Sequence, residues 1–113
     1  MKVRNTTGEE FDIAPNAYLF DADLAGTTLL DVDLTGASLT DANLRGTNLS
    51  GSSLAGADLS GADLTDANLS RADLRGAILR GANLTGAVLT GISYDPKRTL
   101  WPDGFAPPAN TPR

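Results

Sequence analysis

The apolar pattern of this chain is a leucine at every fifth residue. Leucine stands at Leu19, Leu24, Leu29, Leu34, Leu39, Leu44, Leu49, Leu54, Leu59, Leu64, Leu69, Leu74, Leu79, Leu84 and Leu89, without a slip. Two residues before each leucine sits a small or modest residue, which is Ala in eleven of the fifteen units. Two residues after it sits Gly in ten units, Asp in four (Asp21, Asp31, Asp41, Asp66) and Arg once, at Arg71. The remaining positions are mostly Asp, Asn, Ser and Thr. The unit therefore reads A-[D/N/S]-L-x-G.

A spacing of five suits neither regular element. At about 100° per residue, five steps advance roughly 140°, so the leucines would smear around an α-helix. On a strand, side chains alternate with period two, and successive leucines would fall on opposite faces. A chain that turns once per pentad sends every leucine to one interior. The Gly or Asp at the fifth position supplies that turn, because both tolerate positive φ. A chain turning regularly in one sense is a solenoid.

The A-[D/N]-L-x-x signature resembles the pentapeptide-repeat family, over about 80 of the 113 residues. The resemblance implies an all-β fold: a right-handed quadrilateral parallel β-helix with four pentads per coil. A degenerate sixteenth unit follows Leu89, running Ile92, Ser93, Tyr94, Asp95, Pro96, with Pro96 ending the run. Sixteen units make about four coils. Residues twenty apart become vertical neighbours, so Leu19, Leu39, Leu59 and Leu79 form one interior column. Tyr94 completes the expected core.

The expected organisation is an N-terminal cap over 1–16, the solenoid over 17–96 and a C-terminal capping tail over 97–113. Residues 1–16 break the period, as two short strands and a turn or as one strand and a loop, with Phe11 and Ile13 covering the first coil. Tyr18 and Phe20 are expected on the outside of that coil, packed under the cap. In the tail, Leu100, Trp101 and Phe105 fold back over the last coil and Tyr94. An exposed aromatic partner site is the alternative for this tail. Residues 107–113, rich in proline, are expected to fray.

Candidate chemistry is sparse. There is no histidine and no cysteine, so neither a Ser-His-Asp triad nor a His- or Cys-ligated metal site can form. Ser50, Ser60 and Ser70 have no base in view, and the two lysines, Lys2 and Lys97, lie near the ends. A convex rod offers no cleft to exclude water and shift a pKa. No enzyme activity and no cofactor are expected. Asp31-Val32-Asp33-Leu34-Thr35-Gly36 looks like the start of an EF-hand loop, but Ala42 stands at its twelfth position, where the loop needs Glu. The sequons at Asn48, Asn68 and Asn83 follow from the repeat. With no leader or apolar run visible, a soluble cytoplasmic protein without membrane contact is the default.

The outer surface remains as the place for function. Stacking at twenty lines up Asp23, Asn43, Asp63 and Asn83 in one column, and Thr28, Asn48, Asn68 and Val88 in another. A third column holds Asp33, Ser53 and Asp73. Hydrogen-bond ladders of Asn amides up the stack are the plain reading of such columns. Asp21 lies over Asp41, where like charges repel. The net charge is −5, which weighs against nucleic-acid binding. The expected function is a non-enzymatic scaffold or module that binds an unidentified protein, as a monomer, with a homodimer as the alternative state. Asp21, Asp23, Asp31, Asp33 and Asp41 form a candidate acidic surface. The resemblance supplies a second reading for it, since some pentapeptide-repeat proteins present acidic rods to DNA gyrase as DNA mimics.

Overall fold

The computed structural model describes residues 1–109. The last four residues of the expected tail, and that part of its expected fraying, lie outside them. Thirteen isolated parallel bridges organise the chain, and twelve of them join residues twenty apart, from Tyr18–Ser38 to Asp73–Ser93. One turn of the solenoid therefore takes four pentads. Each side contributes a single bridged residue before the chain turns again.

Every N–H of a standard pentad has a partner, and this explains the motif position by position. In the unit Ala62 to Asp66, Ala62 N–H closes a turn onto Leu59 O (3.0 Å). Asp63 N–H reaches the preceding coil at Ala42 O (3.0 Å), and Leu64 N–H reaches the next at Asn83 O (2.8 Å). Asp66 N–H also reaches the next coil, at Thr85 O (2.9 Å). The ladder leaves Thr65 N–H unused, and the Asp63 carboxylate accepts it (3.0 Å). Buried backbone groups are nearly always paired, so Asp or Asn before the leucine meets a backbone need.

Inside, the twelve leucines from Leu24 to Leu79 are fully buried. The inward hydroxyls return to the backbone. Thr27 and Thr47 both donate to Leu24 O (2.6 and 2.8 Å), and Ser52 donates to Leu49 O (2.6 Å). At the corners the backbone is left-handed, including at Asp21, Asp31, Asp41, Asp66 and Arg71 (φ 57–60°). The described residues span 38 × 24 × 20 Å.

The two ends depart from the expected boundaries. Strands β1 (Lys2–Arg4) and β2 (Glu10–Asp12) pair antiparallel, with Val3 opposite Phe11. This settles the N-terminal alternatives in favour of two strands and a turn. The corner series begins within this segment, because Asn16 has φ 62° and its N–H reaches Thr35 O (2.8 Å). At the other end Pro96 does not end the run. After a slip of two residues Leu100 bridges Ile78. Thr99 takes the small inward position, 4% exposed, with its hydroxyl on Leu74 O (2.7 Å). Trp101 takes the leucine position. The tail is held further still, because the Tyr94 hydroxyl donates to Pro108 O.

Candidate binding surface

The outer side chains before each leucine serve mainly their own strand. The Oδ1 atoms of Asp23, Asp33, Asn43, Asn48, Asp58, Asp63, Asn68, Asp73 and Asn83 each accept the N–H two residues on, at 3.0–3.2 Å. The expected ladder of Asn amides gives way to these local turns, because the spare N–H lies within reach of a short side chain. Contacts between coils come instead from Thr35 with Ser53 (2.8 Å), Ser50 with Ser70 (3.0 Å) and Arg45 with Asp63 (3.2 Å).

These contacts set the local electrostatics. The hydroxyl and N–H of Thr35 hold the Asp33 carboxyl below the usual carboxylate range. Asp63 is lowered chiefly by the Thr65 hydroxyl, against the opposing effect of partial burial, with Thr65 N–H and Arg45 adding to it. Arg75 clasps Asp73 through Nε (2.9 Å) and Nη2 (2.7 Å), and its own pKa is raised by that bond. Arg71 donates to Ser50 Oγ (2.9 Å).

The five candidate acids do not converge. Asp21 and Asp41 share one corner column and Asp23 lies on the side next to it. Asp31 stands at the diagonally opposite corner, with Asp33 on the side beyond, since a turn takes four pentads. The acids therefore form two groups on opposite sides of the solenoid. Among the described residues, no three His, Cys, Asp or Glu side chains are grouped to hold a metal ion.

The leucines predicted as core are buried from Leu19 to Leu84, while Leu89 and Tyr94 are half-buried at the C-terminal end. Ile13 is buried, and Phe11, Leu100, Trp101 and Phe105 are half-buried. Tyr94 meets Trp101 edge-on (5.4 Å), and Trp101 stacks on Phe105 (5.2 Å). The Trp101 indole N–H is buried with no hydrogen-bond partner among the described residues.

Tyr18 and Phe20 depart from expectation. They are not packed under the N-terminal segment but are 79% and 49% exposed, stacked on each other with centroids 6.3 Å apart. Ile13 and the side chain of Asn5 meet the first coil instead. Asn5 is 8% exposed and donates to Asp23 O (3.0 Å). Its Oδ1 accepts from Thr7 N–H (3.0 Å) and Glu9 N–H (2.9 Å). Asn5 gave no signal in the sequence beyond a polar residue in a turn. The Thr99-Leu100-Trp101 rung did carry one, since it keeps a small residue two before a large apolar one, seven residues after Ile92-Ser93-Tyr94.

Sequence and structure comparisons agree with this geometry. The profile of pentapeptide repeats matches residues 17–56 and 52–91. The crystal structure of alr5209, a pentapeptide repeat protein from Nostoc Pcc 7120, is 47% identical, covering 80% of this chain and 74% of that one, with a TM-score of 0.79. A pentapeptide repeat protein from the thylakoid lumen of Arabidopsis thaliana is 33% identical over 73% of this chain and 63% of that one, with a TM-score of 0.51. QnrB1, a plasmid-mediated fluoroquinolone resistance protein, is more distant in a trypsin-treated form: 22% identical, over 84% of this chain and 45% of that one, TM-score 0.43. No curated protein matches the chain significantly. The neighbours in Nostoc and Arabidopsis make the solenoid a right-handed β-helix.

Proposed function

The chain belongs to the pentapeptide-repeat family, and from that membership we propose that it is a non-enzymatic scaffold or protein-binding module. In this reading the β-helix has about four coils, closed at the N-terminal end by the hairpin and covered in part at the other by Tyr94, Trp101 and Phe105. Proteins of the family are generally structural or binding proteins. The observation that carries the reading is the Tyr18–Phe20 pair. Many outer polar groups bond within or between coils, whereas this stacked pair stands exposed on the outer surface. Exposed aromatics of this kind are the enriched contact residues of protein interfaces.

The test is a photo-reactive amino acid placed at position 18 of the full chain in its native cell. Covalent protein adducts, absent when the same group replaces Thr65, are the expected result. Adducts to no protein, or the same adducts from both positions, would overturn the reading. The DNA-mimic alternative is not favoured, because the five candidate acids divide between opposite sides, and further along the solenoid Asp63 and Asp73 are paired with Arg45 and Arg75. A gyrase supercoiling assay with micromolar protein should show no effect.

A further inference from the structure

We propose that the C-terminal edge of the solenoid, residues 82–84 and 87–89, docks an extended segment of a partner protein as one more rung. The proposal rests on the binding-module reading and names its partner class.

In the coil beneath, each side offers a fixed set of groups to the next. The Ala62 carbonyl accepts Asn83 N–H (2.9 Å), and Leu64 N–H donates to Asn83 O (2.8 Å). The following side repeats this through Ala67 O to Val88 N–H (2.9 Å) and Leu69 N–H to Val88 O (2.8 Å). One turn higher the same groups have no partner among the described residues. The carbonyls of Ala82 and Ala87 and the N–H groups of Leu84 and Leu89 make no hydrogen bond to any described residue. The corner N–H groups of Gly81 and Gly86 likewise bond no described residue. Unpaired edge groups of this kind are a template for another strand.

The neighbouring side shows what such an edge accepts. Leu100 donates its N–H to Ala77 O (2.9 Å) and accepts from Leu79 N–H (2.7 Å), although it comes two residues late. A segment therefore need not continue the period to seat here. It must run parallel, with a small residue two before a large apolar one. A second such pair five residues later would cover Ala87 and Leu89, which are half-buried, while Val88 is 44% exposed. A shallow cleft of about 450 Å³ opens beside the first side, walled by Pro102, Asp103, Gly104 and Phe105. That wall favours a thin peptide over a second copy, whose own wall would meet it across a two-fold axis. The opposite end is closed by Ile13 and by the Asn5 amide on Asp23 O.

The probe is a synthetic peptide copying residues 62–71, whose small and leucine positions belong to the same two columns. It is titrated into the isotope-labelled full chain while amide signals and hydrogen exchange are followed. Saturable shifts at Leu84, Gly86 and Leu89, with exchange at these amides slowed at least about tenfold, are expected. A scrambled peptide should leave them unmoved, and Leu89→Asp should weaken binding by about tenfold or more, with the circular dichroism spectrum unchanged as the check on folding. If that variant misfolds, the exchange pattern of the unaltered chain decides alone. Absent shifts at millimolar peptide, or shifts confined to other sides, would overturn the proposal. So would amides already protected in the free protein and released on dilution, which would give the edge to a second copy. Failure here with position-18 adducts intact would remove the edge site and leave the binding-module reading standing.

Discussion

The carboxylate of Asp41 lies against the Cα of Gly61, one coil on. A Cβ added to Gly61 would overlap Asp41 Oδ1. Gly81, next in the same corner column, has nothing nearer to its Cβ direction than Gly61 N at 3.7 Å. The two glycines share nearly the same φ, 69° and 71°, so they separate backbone strain from steric conflict. Gly81→Ala should cost about 1–2 kcal/mol, the usual penalty of a left-handed L-residue. Gly61→Ala should cost little more, because the overlapping atom is the tip of an exposed Asp41 side chain that can rotate away. Denaturation midpoints of the two variants check this, and a clearly larger loss at Gly61, relieved by adding Asp41→Gly, would mean that the Asp41 carboxylate is held in place.

Position along the solenoid should grade the leucines. Leu59 is fully buried between two coils, whereas Leu89 is half-buried at the open edge. Leu59→Ala should cost about 2–5 kcal/mol, through lost transfer energy and the cavity left behind. Leu89→Ala should cost less than half as much. Urea unfolding of the two variants measures the difference, and similar losses would mean that Leu89 is covered in solution.

The lowered pKa values of Asp33 and Asp63 predict acid sensitivity with a definite sign. A carboxyl whose folded pKa is depressed contributes stability that is fully present above its unfolded value, about 3.9. That contribution is lost as pH falls through the folded value. Thermal midpoints should therefore be flat well above pH 4 and fall below it. Thr65→Val removes the main cause at Asp63 and should raise that carboxyl alone, as followed by carbon-detected NMR titration. An unmoved Asp63 would show that the hydroxyl does not hold it.

Thr99 tests the added rung. Its buried hydroxyl bonds Leu74 O (2.7 Å), as Thr47 bonds Leu24 O (2.8 Å) one end earlier. Thr99→Val should cost about 1 kcal/mol, and it should speed amide exchange at Leu79, whose N–H is held by Leu100 O (2.7 Å). Normal exchange at Leu79 in this variant would uncouple the rung from its inward hydroxyl.

By itself the sequence determined the repeating interior. Leucine at every fifth residue, a small partner two before it and a turn residue two after leave one way to bury all the leucines together. That pattern is local, so residues 17–91 could be read without coordinates. The ends and the outside were decided by tertiary structure. Asn5 becomes an anchor because its amide meets a carbonyl eighteen residues away, and Leu100 rejoins the ladder because Ala77 and Leu79 leave an edge unpaired. The candidate acids separate because a turn of four pentads puts Asp21 and Asp31 at opposite corners, and Tyr18 and Phe20 stay exposed because the N-terminal segment meets the first coil through Ile13 and Asn5 and leaves the outer side at Tyr18 uncovered. In each case the deciding partner is brought into contact by the winding rather than by proximity in the chain, and a five-residue period does not encode it.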